Sequence, residues 1–254
     1  MQLTEQIVLV TGGGRGLGRS IVEAFSAEGT RVVINYRASS AQAHELAAQI
    51  GPERALAAAA DVTDPLQVGD LLERARVHFG APVTTVVNNA LASFTFNGDA
   101  RSTAAEISWT DFSAQFAGSV KASLNTTQAA LPGMRGHNFG RIINIGTNLF
   151  QNPVVPYHDY IAAKAALLAL TRTLAKDLGP QNITVNMVSG GLLRTTDASA
   201  GTPDDVFDYI AASTPLGRVT TPQEFADAVL FFASPWARSV TGQNLVVDGG
   251  LVMD

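Results

Sequence analysis

Seven short runs, all but one of them containing β-branched residues, alternate with longer stretches of helical periodicity: Ile7–Val10, Arg31–Ile34, Leu56–Ala60, Val83–Val87, Arg141–Ile145, Thr184–Val188 and Leu245–Val247. Strands separated by helices are joined by crossovers, so this rhythm predicts a parallel sheet. VTTVV and RIINI read as continuous runs rather than alternating ones, as strands covered on both faces do. The expected fold is α/β: a single doubly wound Rossmann-type domain over residues 1–254, with a parallel seven-stranded sheet and helices on both faces.

Composition narrows the chemistry. Hydrophobic residues make up 46% of the 254 residues and charged residues 15%, a balance that favours one compact, soluble core over disorder. With no Cys, disulfides, thiolate metal sites and cysteine nucleophiles are excluded together. His44, His78, His137 and His158 lie far apart without ligand spacing, so no metal site is expected. A net charge of -5 without a basic cluster opposes a nucleic-acid partner. MQLTEQ lacks the charged and apolar regions of a leader, and no long apolar run suggests a membrane span, so the expected location is cytoplasmic.

Local signals mark element ends. Leu17, Ile21 and Phe25 share a helix face, and Gly29 follows as a C-terminal glycine. Ser39 or Ser40 can cap the next helix, and Thr221, Pro222 and Glu224 form an N-cap, first-turn Pro and capping-box Glu ahead of FADAVLFFA. Long helices are expected over Asp111–Leu131 and Tyr160–Leu178. Arg194 to Asp205, rich in Thr, Ser, Ala and Gly, reads either as a lid over a cleft or as a mobile loop.

TGGGRGLG lies between the first strand and the first helix, where Gly12, Gly16 and Gly18 let a pyrophosphate approach backbone amides at the positive helix end. The second strand ends in Asn35, Tyr36 and Arg37, without the carboxylate that holds the 2′-hydroxyl of NAD. Arg15 and Arg37 are suited to a 2′-phosphate instead, which predicts NADP(H). Asp61 and Val62 follow the third strand and border an adenine; Asn88, Asn89 and Ala90 follow the fourth, at the carboxyl edge where ligands bind. The candidate cofactor set also takes in Leu17 and Asn35. Tyr160 and Lys164, four residues apart, return to nearly one helix face, where an ammonium favours a phenolate and lowers its pKa. Together with the glycine turn, the pair points to hydride chemistry.

TGGGRGLG, NNA, the YxxxK helix and the closing VVDGG, in that order, resemble the short-chain dehydrogenase/reductase family, most of all its 3-oxoacyl-carrier-protein reductases, over the whole chain. The resemblance implies that Tyr160 is the general acid/base and that Lys164 orients the nicotinamide ribose. It further implies that Thr147 takes the family's serine position, and that Ser119 stands where an Asn supports a water-linked proton path. Leu91 replaces the usual Gly after NNA, and Gly190-Gly191 replaces Pro-Gly; Gly191 and Thr195 match positions beside the nicotinamide. By the same resemblance the activity is NADPH-dependent reduction of a 3-oxoacyl thioester, with an acyl carrier protein as a possible partner and a homotetramer or homodimer as the assembly. Positive charge at the cleft mouth would serve such a carrier; in the corresponding stretches only Arg135 and Arg141 are near. Two other readings stay open: a relative of the same fold acting on a sugar, steroid or small alcohol, and a nucleotide-sensing or scaffold protein with weak catalysis.

Overall fold

The computed structural model describes residues 1–91, 94, 96–196 and 199–253. Its strands are β1 (Ile7–Val10), β2 (Arg31–Tyr36), β3 (Ala55–Ala59), β4 (Thr85–Asn88), β5 (Gly140–Thr147), β6 (Ile183–Gly190) and β7 (Asn244–Val247). They form one seven-stranded sheet in the order β3-β2-β1-β4-β5-β6-β7, every neighbouring pair parallel. Strand order reverses between β1 and β4, so a crevice opens there at the carboxyl ends of the strands, where ligands of such sheets bind.

The helices are α1 (Gly16–Ala27), α2 (Ser40–Ile50), α3 (Pro65–Phe79), α4 (Trp109–Phe116), α5 (Ala122–Gly136), α6 (His158–Leu178), α7 (Asp204–Ser213) and α8 (Pro222–Ala233). Ile21, Phe25, Leu46, Phe225, Val229 and Phe232, from α1, α2 and α8, pack on one face of the sheet. Leu71, Ala75, Ala130, Met134, Ala175 and Leu178, from α3, α5 and α6, pack on the other. A side chain the size of Phe25, with 0% exposure, contributes roughly 1.5–3 kcal/mol by leaving water.

All seven expected strands form, and four run further towards the crevice than their apolar cores. β2 continues to Tyr36, β4 to Asn88, β5 to Thr147 and β6 to Gly190, because parallel pairing persists through polar residues, with Gly146 opposite Ser189 and Thr147 opposite Gly190. The capping box at Thr221 and Glu224 forms, as does the left-handed turn at Gly29 (φ 76°). Ser39 occupies the N-cap position of α2 but makes no cap bond. A Cβ at Gly14 would come within 2.7 Å of its hydroxyl, which therefore faces the glycine turn.

The long helix expected over Asp111–Leu131 is longer and interrupted. It opens at a capping box between Ser108 and Asp111, passes through a π-helical turn at Ala117–Lys121, and ends at Gly136. Of the stretch Arg194–Asp205, expected as a lid or a mobile loop, the last two residues open α7, and Arg194 Nη2 lies 3.0 Å from Asp204 Oδ1; its Asp197 and Ala198 lie outside the described residues. Asp204 and Asp205 in the first turn suit the positive end of α7, the signal that marks this helix in the sequence.

Candidate active site

The glycine turn is held from both sides by amides. Gly12 N–H donates to Asn35 Oδ1 (3.3 Å) and Gly13 N–H to the Asn35 carbonyl (2.8 Å), while Asn35 Nδ2 is spent on the Ala60 carbonyl (3.1 Å). From β4, Asn89 Nδ2 donates to the Thr11 carbonyl (2.9 Å), and the Thr11 hydroxyl accepts from the Asn89 and Ala90 amides (2.9 Å each). Gly12 and Gly16 have φ of 62° and 52°, a region that side chains rarely adopt. Gly18 permits the tightest approach: a Cβ there would lie 2.1 Å from the Gly12 carbonyl oxygen. α1 therefore begins with its amide end against a backbone-only cradle, the arrangement a pyrophosphate requires.

The residues placed in the cofactor set thus divide. Asn35, 2% exposed, and Asn89 brace the turn, and Leu17 packs on the core beside Ile21 and Phe25. Arg15 and Arg37 are exposed at the crevice rim. Although β2 ends without a carboxylate, the fold supplies one from β3: Arg37 Nη1 is 3.6 Å from Asp61 Oδ2. Bonds from the Thr63 hydroxyl (2.7 Å) and amide (2.9 Å), with the Arg37 charge beside them, hold the Asp61 carboxyl below its usual range. Val62 packs with Ala90, and its carbonyl accepts from Asn125 Nδ2 (3.0 Å), tying the ends of β3 and β4 to α5.

At the other end of the crevice, β5 delivers Thr147 and the first two turns of α6 deliver Tyr160 and Lys164, each 6% exposed or less. The Tyr160 and Thr147 side chains share a hydrogen bond. Lys164 Nζ donates to the Ile145 carbonyl at 2.7 Å and lies 5.7 Å from the centre of the Tyr160 ring. The pKa expectation fails in this arrangement. Burial pushes Tyr160 up to about 12, against the Thr147 bond, and pushes Lys164 down to about 8. An ammonium that is itself desolvated, and bonded to a carbonyl, does not overcome the loss of water around the phenol.

Ser119 falls within the π turn, which packs against α6; its hydroxyl is buried and has no hydrogen-bond partner among the described residues. Gly190 and Gly191 have packing reasons. A Cβ at 190 would meet the Phe225 ring at 2.8 Å, and one at 191 would meet Asn148 Nδ2 at 2.9 Å. Leu91 is half-buried, and Thr195 is exposed in the turn after β6. Arg141 is not at the cleft mouth. It opens β5 at the strand end opposite Thr147, 3% exposed, its guanidinium 4.2 Å from the Phe139 ring centre, and burial pushes it down to about 10.

Three features escaped the sequence reading. Asn148 Nδ2 donates to Asp248 Oδ2 (2.8 Å), which gives the Asp of VVDGG the task of fixing the segment after Thr147. Behind the site, Asn144 Oδ1 accepts from Asn88 Nδ2 (2.9 Å) and the Ser123 hydroxyl (2.8 Å), and Asn144 Nδ2 donates to the Thr171 hydroxyl (2.8 Å). These buried side chains join β4, β5, α5 and α6. Finally, Phe94 and Phe96 close around Tyr160, the first with its ring stacked on the phenol at 4.6 Å.

A backbone cradle at the switch point, a buried Tyr–Lys pair and a hydroxyl on the neighbouring strand define a dinucleotide-binding oxidoreductase. A family model described as enoyl-(acyl carrier protein) reductase matches residues 12–252. The chain is 33% identical over 253 residues to the 3-oxoacyl-[acyl-carrier-protein] reductase FabG of Escherichia coli, covering 100% of both chains. It is 33% identical to the hydroxynaphthalene reductase-like protein Arp2 of Metarhizium robertsii, over 98% of this chain and 96% of that one. It is 29% identical to the chloroplastic NADPH-dependent aldehyde reductase 2 of Arabidopsis thaliana, over 99% and 95%. The protein belongs to the short-chain dehydrogenase/reductase family, nicotinamide-dependent oxidoreductases acting on CH–OH and C=O groups.

Proposed function

We propose that the protein reduces a ketone to a secondary alcohol with NADPH, and that 3-oxoacyl thioesters are the reference substrates. The observation that carries this reading is geometric: the buried Tyr160 hydroxyl is hydrogen-bonded to Thr147 at the carboxyl edge of the sheet, with Lys164 four residues along the same helix. At neutral pH such a phenol holds the proton that a developing alkoxide needs. When bound, the nicotinamide supplies the hydride to the carbonyl carbon. Tyr160 donates its hydroxyl proton to the carbonyl oxygen, and Thr147 donates a second hydrogen bond to that oxygen. Lys164, near pH 8 in its proton equilibrium, returns a proton to Tyr160 by way of a water held at the Ser119 hydroxyl.

Gly12, Gly16, Gly18 and Gly191 would hold the dinucleotide backbone, with Asn35 and Asn89 positioning the turn, while Ala90, Thr195, Tyr160 and Lys164 border the nicotinamide half. Arg15 and Arg37 would take the 2′-phosphate, and Asp61 and Val62 the adenine. The exposed Trp109, stacked on Phe112 at 6.0 Å, supports assembly into a homodimer or homotetramer through α4 and its neighbours. The buried Arg141 is no docking residue for an acidic carrier, which favours a free or small thioester. The test is loss of NADPH fluorescence with a short 3-oxoacyl thioester: turnover with NADPH exceeding turnover with NADH is expected, and oxidation of neither nucleotide would overturn the reading.

A further inference from the structure

Four aromatic rings meet at the catalytic phenol, and the proton chemistry uses only one of them. The Phe94 ring lies nearly parallel to that of Tyr160, 4.6 Å between centres at 16°. Phe96 stands edge-on to Phe94 (4.9 Å, 85°), to Tyr160 (5.6 Å, 83°) and to Tyr157 (5.7 Å, 83°). Tyr157 stands edge-on to Phe94 (5.2 Å, 79°). The group is anchored as well as packed: the Tyr157 hydroxyl accepts the Gly98 amide at 2.8 Å, tying the segment after β4 to the start of α6. Phe94 and Phe96 are each partly buried rather than sealed in the core. None of the four carries a charge that would recognise a phosphate or carboxylate.

We infer that Phe94 and Phe96 form the substrate wall and that the ketone this protein reduces carries an aromatic ring, which lies against them while its carbonyl reaches the Tyr160 hydroxyl. This rests on the proposed ketone reduction. Ring quadrupoles favour stacked or edge-on partners, each contact worth about twofold to tenfold beyond the area it buries. A saturated ring of similar size recovers the burial and loses that term, which isolates the inference from general hydrophobicity.

The measurement is kcat/KM for 4-phenyl-2-butanone against 4-cyclohexyl-2-butanone, whose carbonyls are equally insulated from their rings, with NADPH affinity followed by fluorescence. The parent should prefer the phenyl ketone about fivefold. The ratio should approach one in Phe94→Leu and in Phe96→Leu with NADPH affinity unchanged, and should survive in Phe94→Tyr. A ratio near one in the parent, or one that persists in both Leu variants, overturns the inference and leaves ketone reduction standing. Where neither ketone turns over although NADPH binds, the function reading fails on its own. The wall is then read by binding of 4-phenyl-2-butanol and its cyclohexyl counterpart to the NADP+ complex, and equal affinities overturn it.

Discussion

At the Tyr160 end of the crevice the ionisable groups are sealed from water, whereas at the Arg37 end they face it. Tyr160 and Lys164 are 6% and 4% exposed, and desolvation favours the neutral form of each, moving Tyr160 up to about 12 against the Thr147 hydrogen bond and Lys164 down to about 8. The Arg37 and Asp61 side chains are 59% and 31% exposed, and their attraction acts across 3.6 Å in a salt-screened environment. Under the proposed function, the first end sets what reaction is possible and the second biases which nucleotide enters. Substitutions should therefore act in kind at one end and in degree at the other.

The sharpest break is Tyr160→Phe, which keeps the ring against Phe94 and removes the proton. Steady-state turnover should fall roughly 10²–10⁴-fold with NADPH affinity unchanged, and turnover within tenfold of the parent would dissolve the contrast. Next, Arg37→Glu places a second carboxylate beside Asp61. Losing a charge-assisted contact should shrink the NADPH-over-NADH preference roughly 10–100-fold, and raised salt should erode the parent's preference in the same direction. An unchanged preference would move the 2′-phosphate contact away from Arg37.

The smallest effect is thermodynamic. The folded pKa of Lys164, about 8, lies below its ordinary 10.5, so between those values the unfolded chain binds the extra proton and stability rises with pH. For Tyr160, raised from 10.0 to about 12, the folded state keeps a proton that the unfolded chain loses, so stability falls above pH 10. The melting temperature of the parent minus that of Lys164→Met should therefore climb by several degrees from pH 8 to 10.5. A flat difference would mean that Lys164 is not desolvated.

Much of this was legible because short apolar runs and the Tyr160–Lys164 spacing are local signals. Each strand announces itself within five or so residues, and a four-residue helical offset fixes two side chains on one face. What stayed hidden depends on elements distant in the chain. Arg37 reads as an unopposed cation until β3 brings Asp61 beside it. Asn35 reads as a rim residue, yet its amide turns inward to brace Gly12 and the Ala60 carbonyl. The amide network around Asn144 joins residues from positions 88 to 171, and no short window reveals it. Phe94 and Phe96 sit where turn composition masks their packing, and the pKa of Tyr160 depends on burial that spacing does not report.

The wide turn at Ala117–Lys121 acts as a phase shifter. One residue of an ordinary helix corresponds to about 100° of rotation, so the added residue twists α5 out of step with α4 before it reaches the sheet. Ser119 owes its inward aim to that offset, and so do Ser123 and Thr126, which meet Asn144 and Asn88 one and two turns later. Exchanging the side chain at 119 alters one group, whereas deleting a residue from this turn would rotate the donors of the buried network away together.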